Sequence, residues 1–161
     1  MIREFKGKKP LISENAIVDE TALLIGNIIV EEHASIWPGV ILRADEEEIL
    51  VKRNACILDK AFVEAPKKVI IGEGSIISHG AIIHGSEIGE NVLVGIGAIV
   101  LEVRVGKNSI IAAGAVVTKD VEERSFMAGV PARKVRNAED SEIKRIKEIA
   151  SQLWNKAKWL R

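Results

Sequence analysis

A six-residue spacing of aliphatic side chains runs through most of the chain and constrains its fold more than any other feature. This period is neither the 3.6 residues of an α-helix nor the two residues of a single strand. The spacing is interrupted around residues 46–48 and 66–68 and resumes each time. A nested hexapeptide period predicts a parallel β-helix, in which these residues point inward and stack coil on coil. The series is Ile12, Val18, Leu24, Val30, Ile36, Leu42, Val51, Ile57, Val63, Ile71, Ile77, Ile83, Ile88, Val94, Val100, Val105, Ile111 and Val117.

The remaining pattern sets the organisation of the chain. Glycines recur directly after an inward residue, as at Gly72, or three residues after one, as at Gly74, which predicts tight corners. Three strands per coil make a triangular prism of about 18 residues per turn. We predict a single domain over residues 1–161, with the β-helix over about 10–121, a loop over 122–138 and a helix over 139–160. The helix has an apolar stripe at helical spacing and is expected to pack on the prism.

Charge and composition exclude several function classes. Lysine plus arginine and aspartate plus glutamate number 23 each, so no net field favours nucleic acid or an anionic membrane. No apolar run is long enough to span a bilayer, and the start has no apolar signal-like segment. The single cysteine, Cys56, leaves no internal disulfide and is typical of a reducing compartment. We expect a cytoplasmic protein with no nucleic-acid or membrane partner, whose abundant Ile, Val, Glu and Lys are typical of thermophiles.

Two of the three histidines, His79 and His84, lie five residues apart inside the repeat. Neither falls at an inward position, so the core needs neither. Imidazoles on successive strands point away from different faces of a prism, so one chain is not expected to bring both to one metal. Two chains packed side by side could do so. His33, at a corner beside acidic neighbours, is interpreted as an ordinary surface residue.

Three stretches resemble the γ-class carbonic anhydrase family: Trp-Pro-Gly with Leu-Arg-x-Asp over residues 37–45, Asp59, and His-Gly-x-x-x-His-Gly over 79–85. The resemblance covers about residues 10–155. It implies a left-handed parallel β-helix with a C-terminal helix, and a homotrimer with one metal at each subunit interface. It also implies reversible hydration of CO2 to bicarbonate by a metal-bound hydroxide.

The resemblance also assigns roles to individual residues. His79 from one subunit and His84 from its neighbour match the metal-ligating histidines of the family. Glu46 matches an acidic residue near the metal-bound water, where it would pass protons to solvent. The charged network that the family has at the trimer interface is matched by Arg43, Asp45 and Asp59.

The chain departs from the family pattern where a third histidine is expected. Glu64 stands at that position, and the preceding Leu58 and Cys56 replace Gln and Asn. Glu64 follows the inward Val63 as His84 follows Ile83, so the repeat allows both side chains to reach the same point from adjacent coils. The implied ligand set of Glu64, His79 and His84 suits Zn²⁺ and also Fe²⁺. A carboxylate ligand lowers the positive charge of the site, so CO2 hydration is expected to be weakened or lost. Alternatively, Glu64 is a surface glutamate and no metal is held. For Cys56 three roles are open: an extra ligand, a reactive thiol or an inert buried side chain.

Three functions are therefore compared. The first is a metal-dependent lyase acting on CO2 and bicarbonate. The second is a non-catalytic trimeric scaffold or binding protein with the same fold. The third is a hexapeptide acyltransferase, which is disfavoured because those enzymes carry a catalytic histidine on an extended loop. Neither interruption of this repeat, at 46–48 or at 66–68, contains a histidine.

Overall fold

The computed structural model describes residues 1–160, which form short strands stacked in coils and a C-terminal helix. Helix α1 spans Asp140–Ala157 and continues as a 3-10 turn over Lys158–Leu160. No helix within these residues is long and apolar enough to cross a membrane. The strands are β1 Ile2–Arg3, β2 Leu11–Ile12, β3 Ile17–Val18, β4 Leu23–Val30, β5 Ser35–Ile36, β6 Ile41–Val51, β7 Cys56–Ile57, β8 Phe62–Glu64, β9 Val69–Ile71, β10 Ile76–Ile77, β11 Ile82–His84, β12 Glu87–Ile88, β13 Leu93–Val94, β14 Ile99–Leu101, β15 Arg104–Val105, β16 Ile110–Ile111, β17 Val116–Val117, β18 Ser125–Ala128 and β19 Arg133–Asn137.

The strands pair in parallel with the equivalent strand of the next coil and form three faces. The helix face consists of β3, β5, β7, β10, β13, β16 and β18, and α1 packs against it. The histidine face consists of the first halves of β4 and β6 followed by β8, β11, β14 and β17. The charged face consists of the second halves of β4 and β6 followed by β9, β12 and β15. The predicted parallel β-helix with a C-terminal helix is confirmed.

The core of the prism is the aliphatic series that the six-residue spacing defines. Every member from Leu24 to Val117 is buried, and the first two, Ile12 and Val18, pack against the same cluster while partly exposed. Each member aligns with its counterpart one coil away, as Ile83 does with Val63 and Val100. Stacked coils bury these side chains without any long-range sequence signal, because each coil supplies the floor for the next.

The first interruption of the repeat is a bulge within a strand. In β6, residues 45–48 lie between Ala44 and Ile49, whereas in β4 the single residue 27 lies between the partners Gly26 and Ile28. The extra residues project at the corner between the histidine face and the charged face. Such bulges re-aim side chains, and this one carries Asp45 and Glu46 outward beside the end of β8.

The segment 122–138, expected to be a loop, instead contains two strands. β18 pairs in parallel with β16 and adds one more strand to the helix face, and β19 folds back antiparallel on β18. The prediction was wrong because the six-residue frame resumes four residues after Val117. Val121 and then Met127, six residues later, are the buried inward residues of the last coil. At the other end, β1 pairs with β4, so the coil begins before residue 10.

Candidate metal centre

Three ionisable side chains form a ladder along the edge of the histidine face. Arg43, Glu64 and His84 each follow an inward residue by one position, and they align in register on β6, β8 and β11. Parallel pairing brings equivalent positions of adjacent coils about 5 Å apart. The repeat frame therefore places Glu64 and His84 side by side, as their equal offsets predict.

Glu64 is shared between its two neighbours in the ladder. Its Oε2 lies 3.2 Å from His84 Nδ1, and its Oε1 accepts a hydrogen bond from Arg43 Nη2. That hydrogen bond raises the pKa of Arg43. Arg43 Nε is buried without a hydrogen-bond partner in the described chain and lies 3.5 Å from Asp45 Oδ2. Arg43 and Glu64 thus form an ion pair that was not among the sequence predictions, although their shared offset in the repeat indicates that they are neighbours.

The other histidine has a carboxylate partner of its own. His79 Nδ1 lies within hydrogen-bond distance of Asp59 Oδ2, at 3.1 Å, across adjacent coils. An ionised carboxylate can only accept, so His79 donates from Nδ1 and its Nε2 faces away from the carboxylate. Metal-ligating histidines commonly have this arrangement, with one ring nitrogen held by a carboxylate and the other free for the metal.

The two histidines lie at opposite ends of β11. His79 precedes the strand and His84 ends it. A corner turn, with Gly80 at φ +66°, and the three residues of β11 separate the two rings along the chain, whereas ligands of one metal lie about 2 Å from it. Within residues 1–160 of one chain, no three His, Cys, Asp or Glu side chains are grouped so that they could hold a metal. Glu64 and His84 are together, His79 is with Asp59, and Glu46 is exposed on the bulge of β6.

The chemistry of the three donors, His79, His84 and Glu64, suits a divalent metal. Two imidazoles and a carboxylate are a ligand combination used by catalytic zinc, and Glu64 keeps lone pairs besides those facing Arg43 and His84. The contact with Arg43 opposes such binding, because a permanent cation competes with the metal for the same carboxylate. His79 and His84 therefore fit the role more readily than Glu64 does.

Apolar side chains occupy the rest of the histidine face. An outward column beside the ladder consists of Ile41, Phe62, Ile82, Ile99 and Val116, aligned coil by coil. Ile41 is exposed, as is Leu101, the register partner of His84 on β14. A partly exposed apolar column beside ionisable groups is typical of a surface that contacts another protein.

Known proteins resemble this chain along most of its length. No protein-family model matches it. It is 39% identical over 145 residues to a probable carbonic anhydrase of Methanocaldococcus jannaschii, covering 87% of this chain and 91% of that protein. It is 37% identical over 144 residues to the carnitine operon protein CaiE of Escherichia coli, covering 86% and 74% respectively. The chain belongs to the hexapeptide-repeat, γ-carbonic-anhydrase-like family.

Solved structures of this fold carry other names. A hexapeptide transferase family protein from Anaplasma phagocytophilum superposes with a TM-score of 0.95 at 29% identity, over 98% of this chain and 96% of that chain. A putative acetyltransferase from Bacillus cereus superposes with a TM-score of 0.96 at 25% identity, over 99% and 95%. Proteins with this β-helix are thus named both as carbonic anhydrases and as transferases. The fold does not distinguish the two activities, so a functional conclusion has to rest on the site residues.

Two departures from the γ-carbonic-anhydrase-like pattern lie away from the ladder. Cys56 and Leu58 are buried in the apolar cluster between the helix face and α1. Cys56 Sγ lies 3.8 Å from the carbonyl oxygen of Ala150 in α1, and burial raises the pKa of the thiol to about 11. Of the three roles considered for Cys56, the buried, unreactive thiol is the one that this position favours.

The raised pKa of Cys56 predicts a loss of stability in alkali. Between the ordinary value of 9.0 and about 11, the unfolded chain releases the thiol proton while the folded chain retains it. The free energy of unfolding should therefore fall as pH rises through this window, by up to about 3 kcal/mol. Urea titrations of wild type and Cys56→Ala at pH 8 and pH 10.5 would measure it. An equal fall in both proteins would contradict the assignment to Cys56.

Proposed function

We propose that this protein is a metal-dependent, carbonic-anhydrase-like hydratase that interconverts CO2 and bicarbonate at the subunit interfaces of a homotrimer. The observation that carries the proposal is the pair of histidines, each beside a carboxylate, at opposite ends of one strand of the histidine face. Each half is incomplete by itself, and both lie beside an apolar column. The proposal includes the cytoplasmic location expected from the sequence.

The complete site would take residues from two subunits. Glu64 and His84 of one subunit would meet His79 of the next across the apolar column, with Arg43, Asp45 and Asp59 in the surrounding charged network. Partial exposure of the column, as at Ile41, supports a second copy as its cover. Zn²⁺ is the metal we propose, with Fe²⁺ as the alternative.

The residues of the chain have separate tasks in this proposal. When bound, the metal supplies an acidified water as the nucleophile for CO2. Asp59 holds the Nδ1 side of His79, which leaves Nε2 for the metal. Glu64 holds the Nδ1 side of His84 in the same way, and it would have to turn away from that nitrogen to join the ligand set. Glu46, exposed on the bulge, would exchange protons with solvent.

Arg43 adds a positive charge beside the candidate metal site that the sequence comparison of ligands did not take into account. Replacing a neutral histidine by Glu64 removes one unit of positive charge from the site, which would weaken the acidification of water. Arg43 pairs with Glu64 and restores that unit locally. Its guanidinium would also attract the bicarbonate anion. The activity is therefore expected to be reduced mainly through weaker metal binding by Glu64.

The same ion pair favours a second candidate, a metal-free trimeric scaffold. In that case Glu64 is the counter-ion of Arg43 and no metal is held. A third candidate, acyl transfer from acetyl-CoA, is suggested by the names of the structural neighbours. The candidates are distinguished by metal content, CO2 hydration and acetyl transfer measured on the same preparation.

The deciding experiment compares wild type with Glu64→His. Purified under non-chelating conditions, wild type should carry about one metal per chain, measured by mass spectrometry, and should hydrate CO2 in a stopped-flow assay. Glu64→His removes the competition with Arg43 and should raise both metal affinity and the hydration rate by about tenfold or more. A trimer without metal whose melting temperature is unchanged by Zn²⁺ would contradict the proposal and support the metal-free scaffold. Acetyl transfer without hydration would support the third candidate.

A further inference from the structure

One corner of the prism is built from residues with a left-handed backbone. Where the charged face meets the helix face, successive coils place Asn54, Gly74, Asn91 and Asn108 at the same position, with φ between +51° and +67°. Backbone hydrogen bonds between coils, such as the one from Asn91 N to Glu73 O, fix this alignment. Asparagine and glycine are the residues that tolerate this conformation best. The result is an asparagine ladder with one rung lacking a side chain, at Gly74.

The missing side chain leaves a buried acceptor without a donor. Asn91 Nδ2 donates to Asn108 Oδ1 at 2.9 Å and to the carbonyl oxygen of Ile143 in α1 at 3.2 Å. A carbonyl only accepts, so this contact fixes the orientation of the amide. Asn91 is 6% exposed, and its Oδ1 has no hydrogen-bond partner among residues 1–160. Asn91 supplies a donor to Asn108 on one side, whereas Gly74 has none to supply to Asn91 on the other.

A cavity of about 510 Å³ lies at the Gly74 position, between this corner and α1. A Cβ built on Gly74 would have no atom within 4 Å, so the rung position is open space. The lining also includes Asn91 itself, the carboxylates of Glu73 and Glu90, and Trp154 of α1. Unsatisfied buried acceptors are rare in folded proteins, and a ligand that donates a hydrogen bond would satisfy this one.

The charges around the cavity identify the kind of donor. Glu73 is paired with Arg53 at 3.1 Å, whereas Glu90 has no ion-pair partner in the described part of the chain. An unpaired carboxylate beside an unsatisfied oxygen attracts a cation that carries N–H groups. The ring of Trp154, which already has Lys158 Nζ 5.9 Å from its centroid, adds an aromatic surface that favours cations. Lys147 also lines the cavity, and its ammonium would attract an anionic group at the other end of the same ligand.

We propose that this cavity binds the primary ammonium group of a small molecule, with one N–H taking the place of the absent donor at Gly74 and bonding to Asn91 Oδ1. Glu90 balances its charge, and the carbon chain of the ligand lies against Trp154. The site is at the corner opposite the histidine face, and none of its residues belongs to the candidate metal centre. It is therefore a second site, independent of the proposed hydratase activity.

Gly74→Asn tests the proposal directly, because asparagine already occupies the same position in neighbouring coils. The new side chain would occupy the rung position and donate to Asn91 Oδ1. Gly114→Asn is the matched control: Gly114 has φ +69°, equally open space, and lies at another corner. Binding is followed in ¹⁵N-labelled full-length protein by the side-chain amide signal of Asn91 and the indole signal of Trp154. The probe is n-butylammonium, compared with tetramethylammonium, which has no N–H, and with butyrate.

In wild type, n-butylammonium should shift both signals saturably, and tetramethylammonium should bind at least several-fold more weakly. Gly74→Asn should weaken binding about tenfold or more, and Gly114→Asn should leave it unchanged. Glu90→Gln, an exposed position that the fold does not need, should weaken binding several-fold and decides the matter if Gly74→Asn does not fold. The proposal is overturned if no shift saturates, if tetramethylammonium or butyrate binds as well, or if both glycine variants behave alike.

Discussion

His84→Ala is expected to abolish CO2 hydration and to lower metal affinity by at least about 100-fold, while leaving the β-helix intact. His84 points outward from β11 and contacts Glu64, so its removal deletes one ligand and frees Glu64 to pair with Arg43 alone. The measurements are metal content, the hydration rate and the circular dichroism spectrum. His33→Ala is the control, because His33 lies against Trp154 beside α1 rather than on the histidine face. Retained metal in His84→Ala would exclude this histidine as a ligand.

Mixing two inactive variants tests whether the site is divided between subunits. His79→Ala retains Glu64 and His84, and His84→Ala retains His79. In randomly mixed trimers, about a quarter of the interfaces would combine the intact half of one variant with the intact half of the other. Unfolding and refolding an equal mixture should therefore recover about a quarter of the wild-type rate. Recovery of no activity from soluble mixed trimers would contradict a divided site.

Gly72→Ala is expected to destabilise the β-helix by about 3 kcal/mol or more. A Cβ on Gly72 would lie 2.2 Å from the carbonyl oxygen of Gly89 on the next coil. Gly89 in turn crowds the backbone around Gly106, so the three coils pack backbone to backbone here. Relief would require the coils to separate, which breaks the inter-coil hydrogen bonds on both sides. Urea denaturation of the two proteins gives the difference.

Gly74→Ala, two residues away, is the matched control for Gly72→Ala. Gly74 has φ +67° but open space around its missing side chain. Alanine there should cost only the left-handed backbone penalty of about 1–2 kcal/mol. Equal losses in the two variants would contradict the close approach of the coils at Gly72, because Gly72 does not have the left-handed backbone that penalises alanine at Gly74.

The repeat frame was sufficient to predict the fold because its signal is local. Each inward aliphatic residue is buried by its counterpart about one coil away, so spacing alone identifies the core. The same frame identifies neighbours on the outside, which is why Glu64 and His84 could be placed together from their offsets. It failed over 122–138, because a shift of four residues after Val117 hides the last coil from a strict six-residue count.

The sequence by itself determined the β-helix, the outward positions of His79 and His84, and the adjacency of Glu64 to His84. The sequence also located the glycines, but it predicted the same role, a tight corner, for those directly after an inward residue and for those three residues after one. Only the tertiary structure separated Gly72, where two backbones touch, from Gly74, where a side chain is missing beside a cavity. It alone showed that Arg43 holds Glu64 and that Asp59 holds His79. The physical reason is that spacing fixes which residues are neighbours, whereas packing and hydrogen-bond satisfaction decide what each neighbour does.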